Sequence, residues 1–429
     1  MEKDPMRLTR RAILGTTAAL LAAPSLARAQ ARRLDILSHR VHQQVLTQGA
    51  AGDLTADWRR QQNAELSWTT ADIAPLQDRL LREASLPATD FGIGYLLNSR
   101  ATPEVGNLLE PLDSLLASAP IEQWEDIAPG LREAMRVGGH TIAVPVRHAT
   151  NGLFYNKALL EQRGIAAPPR SLEELVDQAR QLTFRPSGAA PVTGMVMTAA
   201  LAAYPVMFAR AFGGDFITPD RKLLPDPDAM VKAIAVIRGM FEAGSLPRGY
   251  ATTTNEDQVT WLQQGRAAFA ILPFSRHAQL NRAEQSRFPG QIEAMEMPVS
   301  TTSPAGLKMA AAVEFWSMSI PRNARDKALA WSFIRAMSSP AVTTGAARNG
   351  NGPVRLSTYA DATFAEANPV AKVEAAALAS ARVPFPAFAE ASRAEAIFVE
   401  EVQSAVLGRS TPEQAVERTM TRVRPLLPA

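Results

Sequence analysis

The sequence predicts an α/β protein of two lobes, and three observations support this. At 429 residues the chain exceeds what one hydrophobic core usually organises, so two domains are expected. Segments with strand-like and helix-like periodicity alternate, which favours a largely parallel sheet covered by helices on both faces. Near the middle, an apolar strand ends at Pro145, a polar run follows, and extended structure resumes at 153–155. This run is either a simple loop or a hinge between lobes.

The N-terminal segment 1–29 is typical of an export leader. Arg7, Arg10 and Arg11 precede the apolar run 12–23, and small residues at 27–29 suit cleavage near Ala29. Such a segment is a secretory signal peptide, too short to span a bilayer. Its Arg-Arg pair also resembles a twin-arginine export signal. The alternative, a basic helix of the mature fold, is disfavoured because no amphipathic stripe is present.

Charge and cysteine content exclude several classes of protein. The leader contains five of the 45 basic and two of the 42 acidic residues, which leaves 40 of each in the mature chain. Nucleic-acid binding is therefore not indicated. The chain has no cysteine, which excludes disulfides, thiolate metal sites, a cysteine nucleophile and an acylated N-terminal cysteine. We expect a free periplasmic protein if the source has two membranes.

The first part of the mature chain predicts three strands and a helix. The strands are expected near 34–37, 65–69 and 90–95, and the apolar positions of 73–84 share one helical face. Ligands of open α/β sheets bind beyond the carboxyl ends of the strands. The loop residues His39, Arg40 and Asn98 are therefore candidate ligand contacts.

The second part continues the alternation. Ser171 and Glu174 form a capping box for a helix starting at Leu172, and Thr411 and Gln414 form another for the last helix. Further helices are expected at 203–212, from 226, at 255–264 and around 330–337, with strands at 193–198, 267–272 and within 310–320. The stretch 348–355 is rich in glycine and asparagine and is typical of a loop.

Several short motifs occur in a familiar order. They are Tyr155-Asn156-Lys157, the helix start from Pro168 to Leu175, Gly213-Gly214-Asp215, the helix–glycine–strand around Gly265, the run from Trp316 to Asn323, and Gly352-Pro353-Val354-Arg355. Together they resemble bacterial extracellular solute-binding proteins, the sugar-binding group that includes maltose-binding protein. The order of these motifs is specific evidence for the fold and weak evidence for the identity of the ligand.

The resemblance implies a two-lobed periplasmic-binding-protein fold (type II-like) with a hinge. The N-terminal lobe would take 34–144 and 299–345, and the C-terminal lobe 146–298 and 346–429. A solute touching both lobes would favour the closed state, which the membrane permease of an ABC importer would recognise. The implied ligand is a carbohydrate or polyol. No cofactor is expected, and the protein is expected to be a monomer.

The resemblance also points to aromatic ligand contacts. Tyr204, Phe274 and Trp316 occupy positions where the family usually places rings that stack on sugars. The alternative for each ring is core packing. Trp316 and Tyr204 are favoured as contacts, whereas the two interpretations of Phe274 are evenly balanced.

Arg147 and His148 depart from the family, which often has an acidic or small polar residue just after the hinge. With Arg40 and Arg355 they would make the cleft electropositive, which suits a sugar acid or a phosphorylated polyol. Alternatively, Arg147 pairs with a carboxylate of the opposite lobe, such as Glu314. No two of the five histidines have helical ligand spacing with a carboxylate, so a metal site is not expected.

A secreted α/β enzyme is the hypothesis from another class. The chain has no Gly-x-Ser-x-Gly elbow, no glycine-rich phosphate loop and no metalloprotease helix. Paired carboxylates of a glycosidase cannot be located by spacing alone. A third possibility is a binding module that signals to a membrane sensor.

Overall fold

The computed structural model of the chain describes residues 31–186 and 190–428, so the predicted leader at 1–29 lies outside the described residues. The strands are β1 Arg32–Ser38, β2 Ala64–Thr70, β3 Phe91–Leu97, β4 Arg136–Val137, β5 His140–Thr141, β6 Val144–Asn156, β7 Thr193–Val196, β8 Ala267–Pro273, β9 Ile292–Met295 and β10 Val313–Ser319.

The helices cover the faces and ends of these strands. They are α1 Arg40–Thr47, α2 Ala56–Gln62, α3 Ile73–Ala84, α4 Pro103–Gly106, α5 Asp113–Ser118, α6 Pro129–Ala134, α7 Lys157–Gln162, α8 Leu172–Gln181, α9 Ala203–Ala211, α10 Pro227–Glu242, α11 Asn255–Gln263, α12 His277–Leu280, α13 Lys327–Met337, α14 Pro340–Arg348, α15 Ala362–Ala367, α16 Ala371–Ser380, α17 Ala391–Val406 and α18 Pro412–Val423. No helix within 31–186 and 190–428 has the length and apolar content needed to cross a bilayer.

The main sheet has the strand order β2-β1-β3-β10-β6-β8-β7, with β9 also paired to β6. The 13-residue strand β6 belongs to both halves of this sheet. Its first part, Val144 to Thr150, pairs with β10. Its second part, Asn151 to Asn156, pairs with β8 and β9. The polar run that the sequence leaves as a loop or a hinge is therefore extended strand joining two half-sheets.

The expectation of a largely parallel sheet is wrong for the centre of the sheet. Parallel pairing occurs in β1–β2, β1–β3 and β7–β8. The pairs β10–β3, β10–β6, β6–β8 and β6–β9 are antiparallel. The reason is the path of the chain, because β6 runs towards the second half and β10 returns. Helical connections produce parallel neighbours within each half, whereas two opposed crossings do not.

Two hydrophobic clusters fill the interior. The first packs β1, β3, α13 and α16 together and continues along one face of β8. The second gathers α8, α9, α10, α17 and α18 around the other face of β8. The buried hydrophobic residues between Val354 and Ala381 lie in the first cluster, and those from Phe388 to Val423 lie in the second. The lobe boundaries stated above stay a prediction.

Candidate functional site

A cavity of about 180 Å³ lies between the two halves of the molecule. On one side it is walled by the turn after β3, by α6 and by the β4–β5 hairpin. On the other side it is walled by the end of α9, the loop at 217–221 and the segment 382–387. The lining residues are Asn98, Ala101, Pro103, Gly130, Glu133, Ala134, Arg136, Val137, Gly138, Arg210, Ile217, Pro219, Arg221, Arg382, Val383, Phe385, Pro386 and Ala387.

Arg210 organises the second wall. Its side chain is buried and pairs with buried Asp215, with 3.3 Å between Nη2 and Oδ1. Its Nη2 also donates to the carbonyl of Val383 at 2.7 Å, and its Nη1 donates to the carbonyls of Ala310 and Arg382 at 3.2 Å. A guanidinium is suited to this task because its five N–H donors point in fixed directions. Arg210 therefore ties the end of α9 to the 310 and 382–383 segments.

The cavity lining is rich in arginine. Arg382 shares Asp215 with Arg210 through an Nη2–Oδ2 distance of 3.1 Å. Arg136, at the hairpin, is exposed and donates to the carbonyl of Gly139 at 2.9 Å. Arg221 adopts the left-handed backbone region with φ 63°. Against these four cations the lining contains one acidic residue, Glu133, so the cavity wall is electropositive.

Two carboxylates near the crossing strands have altered pKa values. Glu314 on β10 is exposed to solvent, yet the surrounding walls raise its pKa by desolvation, and the charge of Glu395 raises it further. Burial also raises the pKa of Glu395 on α17, which accepts the backbone N–H of Ala202 at 3.4 Å. The Glu314 and Glu395 carboxyls therefore lie close enough for their charges to interact.

The three loop residues predicted from strand ends have different environments. Asn98 lines the cavity, and its Oδ1 accepts the backbone N–H of Phe315 at 2.8 Å, which ties the end of β3 to β10. His39 is the N-cap of α1 and accepts the N–H of Val41 through Nδ1 at 3.3 Å. Arg40 is exposed at the first position of that helix. Of these three, Asn98 is part of the cavity lining.

The three predicted aromatic contacts are buried. Tyr204 lies in the second cluster and donates its hydroxyl to Asn255 Oδ1 at 3.1 Å. Phe274 packs under β6, where a Cβ on Gly152 would come within 2.3 Å of its ring. Trp316 is 8% exposed and meets the ring of His42 edge-on, with 4.9 Å between centroids. The cavity lining includes none of the three.

Arg355 and His148 are buried and fully engaged. Arg355 donates to the carbonyls of Glu122, Gln123 and Ser338 at 2.6 Å each and has Asp126 at 3.4 Å. In His148, Nε2 lies 2.8 Å from the Tyr359 hydroxyl and Nδ1 lies 2.9 Å from Thr150 Oγ1. Burial lowers the pKa of His148 to about 3. These contacts hold loops and strands together, and neither residue lines the cavity.

Arg147 lies on β6 opposite Trp316 and donates to Asn351 Oδ1 at 3.1 Å. Among the described residues no ion pair joins it to Glu314, the partner considered from sequence. Nor does any group of three histidine, aspartate or glutamate side chains within 31–186 and 190–428 come together as ligands of a metal would.

Next to His148, Glu374 is 4% exposed and its Oε1 lies 3.8 Å from Nε2 of the histidine. Burial raises the pKa of Glu374 from 4.5 to about 7. At a pH between these two pKa values, Glu374 is therefore protonated in the folded state and ionised in the unfolded state. Its contribution to stability is full below pH about 4.5 and is lost as pH rises through about 7.

Glu374→Gln is expected to remove this pH dependence. The free energy of unfolding of the variant relative to the parent should rise by on the order of 1–3 kcal/mol between pH 5 and pH 8, because only the parent must ionise a buried group. Urea unfolding at the two pH values measures this difference. Glu366→Gln, at an exposed position of α15, is the control. Parallel pH profiles for parent and Glu374→Gln would contradict the assignment.

The family described as bacterial extracellular solute-binding protein matches residues 97–344, more than half of the chain. The chain belongs to this family. The match includes both crossing strands β6 and β10, one wall of the cavity and Arg210 on the other.

Solved structures of similar proteins support this solute-binding protein fold. The sugar-binding protein MalE from Xanthomonas citri aligns with TM-score 0.76 at 19% identity over 92% of this chain and 97% of its own. Maltose-bound MalE3 of T. maritima aligns with TM-score 0.73 at 21% identity over 92% and 100%. A solute-binding protein from Agrobacterium radiobacter K84, in complex with ribitol, aligns with TM-score 0.72 at 19% identity over 92% and 99%.

A curated relative is also similar. It is a probable ABC transporter-binding protein of Deinococcus radiodurans, 25% identical over 242 residues. The alignment covers 54% of this solute-binding protein and 56% of the relative, so the chain spans about half the length of the curated relative it matches.

Sequence reasoning missed the arginines of the cavity wall. Arg210 is the one charged residue in α9, whose other side chains are apolar apart from Tyr204. A single arginine in a buried helix indicates a buried counter-charge, and Asp215 follows five residues later. That signal was available. The carbonyl partners at 310, 382 and 383 lie about 100 residues or more along the chain, and no local pattern points to them.

Proposed function

We propose that this protein is the periplasmic solute-binding component of an ABC importer and captures a carbohydrate or polyol between its two lobes. The observation that carries the proposal is the cavity walled by both halves of the molecule, beside the two strands that cross between them. A solute touching both walls stabilises the arrangement in which they are close, by its difference in affinity for the two arrangements. A permease that recognises this arrangement receives the loaded protein.

The family and the fold support this function. Maltose-bound and ribitol-bound relatives of the same fold bind neutral, hydroxyl-rich solutes. The cavity combines fixed N–H donors with apolar surface from Phe385, Val383 and Ile217, which suits sugars because they present both hydroxyl rims and apolar faces. We further propose export through the leader at 1–29, a monomeric state and no catalytic turnover.

An anionic solute is the second candidate, and the four arginines in the cavity lining favour it. Guanidinium groups bind carboxylate and phosphate in a bidentate manner. Arg210 and Arg382 already share Asp215, so Arg136 and Arg221 are the cations available to such a ligand.

A thermal-shift screen separates the two candidates. Neutral sugars, polyols, sugar acids and polyol phosphates are each added to the protein, since binding to the native state raises Tm by mass action. For a neutral solute, Arg136→Gln should change the affinity less than threefold. For an anionic solute it should weaken binding by about tenfold or more, the effect of losing a charge-assisted contact. Arg282→Gln, an exposed arginine on the surface, is the matched control.

Two outcomes would contradict the proposal. One is that compounds of all four classes leave the Tm of the protein unchanged. The other is conversion of a bound compound into a product, detected by mass spectrometry, because a carrier releases its solute unaltered.

A further inference from the structure

His42 is a buried histidine whose ring lacks hydrogen-bond partners among the described residues. It is 2% exposed, and neither Nδ1 nor Nε2 has a partner. The ring stacks on Tyr95 with 4.3 Å between centroids and an interplanar angle of 10°, and Trp316 meets it edge-on at 4.9 Å. Leaving a buried polar group unpaired destabilises the folded state. A ligand or water beside the ring would remove that destabilisation.

Arg147 lies beside His42 and has no counter-ion among the described residues. Its charge lowers the pKa of His42, after the larger effect of burial, so the imidazole is neutral and has one N–H to donate. Arg147 is half-buried, and this burial lowers the pKa of its guanidinium. The deeply buried Arg210 and Arg355 each have an aspartate within 3.4 Å. Across 31–186 and 190–428, no carboxylate forms an ion pair with Arg147.

Both side chains line one small cavity, together with a third group that lacks a partner. The cavity is about 20 Å³ in volume, and Ser338 and Asn351 also line it. Ser338 is 3% exposed, and its hydroxyl has no partner among the described residues. Asn351 is already occupied, since its amide accepts from Arg147 and donates to the carbonyl of Val146 at 2.7 Å. Within the described part of the chain, no acidic side chain lines this cavity, and it shares no lining residue with the cavity between the two halves.

We propose that this cavity binds one monovalent anion of chloride size between Arg147, His42 and Ser338. The volume suits a single water or small ion, because about 10–15 Å³ holds one water. The charge decides between the two. A water leaves the guanidinium uncompensated, whereas an anion neutralises it and accepts from the imidazole N–H and the serine hydroxyl at once. Hydrogen bonds to a charged group are about twice as strong as neutral ones.

The position of the site gives the anion a structural role. His42 is in α1, Arg147 is in the crossing strand β6, and Ser338 follows α13. The bound ion thus joins three segments at the junction of the half-sheets. It is separate from the proposed solute, and its test requires no solute.

Bromide provides a direct test on the full-length protein. Crystals grown with sodium bromide as the halide are expected to show an anomalous peak between the Arg147 guanidinium and the Ser338 hydroxyl. In solution, replacing sodium gluconate by sodium chloride at equal ionic strength and about 0.2 M should raise Tm by about 1–3 °C. Ser338→Ala and Arg147→Gln should each abolish most of this rise, and Arg282→Gln should retain it.

The absence of an anomalous peak at this position would overturn the proposal and assign a water to the cavity. So would a chloride-dependent rise in Tm that is the same in Ser338→Ala as in the parent. If Arg147→Gln fails to fold, the bromide map and Ser338→Ala still decide. Binding of solute, or its absence, has no part in either readout.

Discussion

Arg210→Met is expected to lower the free energy of unfolding by about 3–5 kcal/mol, the usual cost of breaking a buried ion pair from one side. Methionine fills similar volume but leaves Asp215 as a buried carboxylate that keeps Arg382 as its remaining cation. The carbonyls of Ala310, Arg382 and Val383 also lose their donors. Because Arg382 and Val383 line the cavity, solute affinity should fall as well.

Urea unfolding followed by circular dichroism measures the effect. Arg180→Met is the matched control, since Arg180 pairs with Asp177 at 3.4 Å on the exposed face of α8, and such pairs contribute less than about 1 kcal/mol. The double variant Arg210→Met/Asp215→Asn should regain part of the loss, because the buried carboxylate that has lost one of its two arginines is replaced by a neutral amide. Equal stability of Arg210→Met and Arg180→Met would show that the buried pair contributes nothing.

Gly352→Ala is expected to destabilise the protein by about 1–3 kcal/mol through overpacking. A Cβ at this position would lie 2.2 Å from the carbonyl oxygen of His148. That oxygen belongs to the backbone of β6 and cannot rotate away. The added methyl group must push the loop after α14 off the strand, and this lengthens the hydrogen bond from the N–H of His148 to the carbonyl of Gly352, now 3.2 Å.

Gly239→Ala provides the comparison. A Cβ at Gly239, inside α10, meets nothing within 4 Å, so the variant should be as stable as the parent or up to about 1 kcal/mol more stable through helix propensity. Both variants add one methyl group, which meets the backbone of β6 at Gly352 and open space at the helical Gly239. If Gly352→Ala and Gly239→Ala have the same free energy of unfolding, the loop at Gly352 has room for a methyl group and the predicted overpacking against β6 is wrong.

Local signals along the chain predict most helix and strand positions. The capping box of α18 forms as predicted from Thr411 and Gln414. At α8 half of it forms, since Ser171 accepts the N–H of Glu174 at 3.1 Å whereas the Glu174 carboxylate accepts from Arg170. These patterns are predictable because a cap depends on residues three positions apart.

The environment of each charged or aromatic residue is not predictable in this way. Histidine and arginine are residue types that also occur in ligand-binding clefts. In the structure, however, His148 contacts Tyr359, and Arg355 contacts Glu122 and Ser338, which belong to other segments of the chain. Burial of a side chain depends on which segments pack against each other, and a single sequence does not show which segments are in contact. The general rule about strand ends selected His39, Arg40 and Asn98 alike. Asn98 lines the cavity, whereas His39 and Arg40 do not, because the rule gives the edge of the sheet and not the packing of each loop.

The shared strand β6 has a consequence for how the molecule can be divided. Neither half is a continuous piece of chain, and each needs β6 to complete its sheet. A fragment ending before Val144 would expose the backbone N–H and C=O groups of an unpaired edge, which promotes pairing with other chains. Expression of either half alone should therefore produce aggregates, and mixing two complementary fragments should restore soluble protein only when one of them carries the whole of β6.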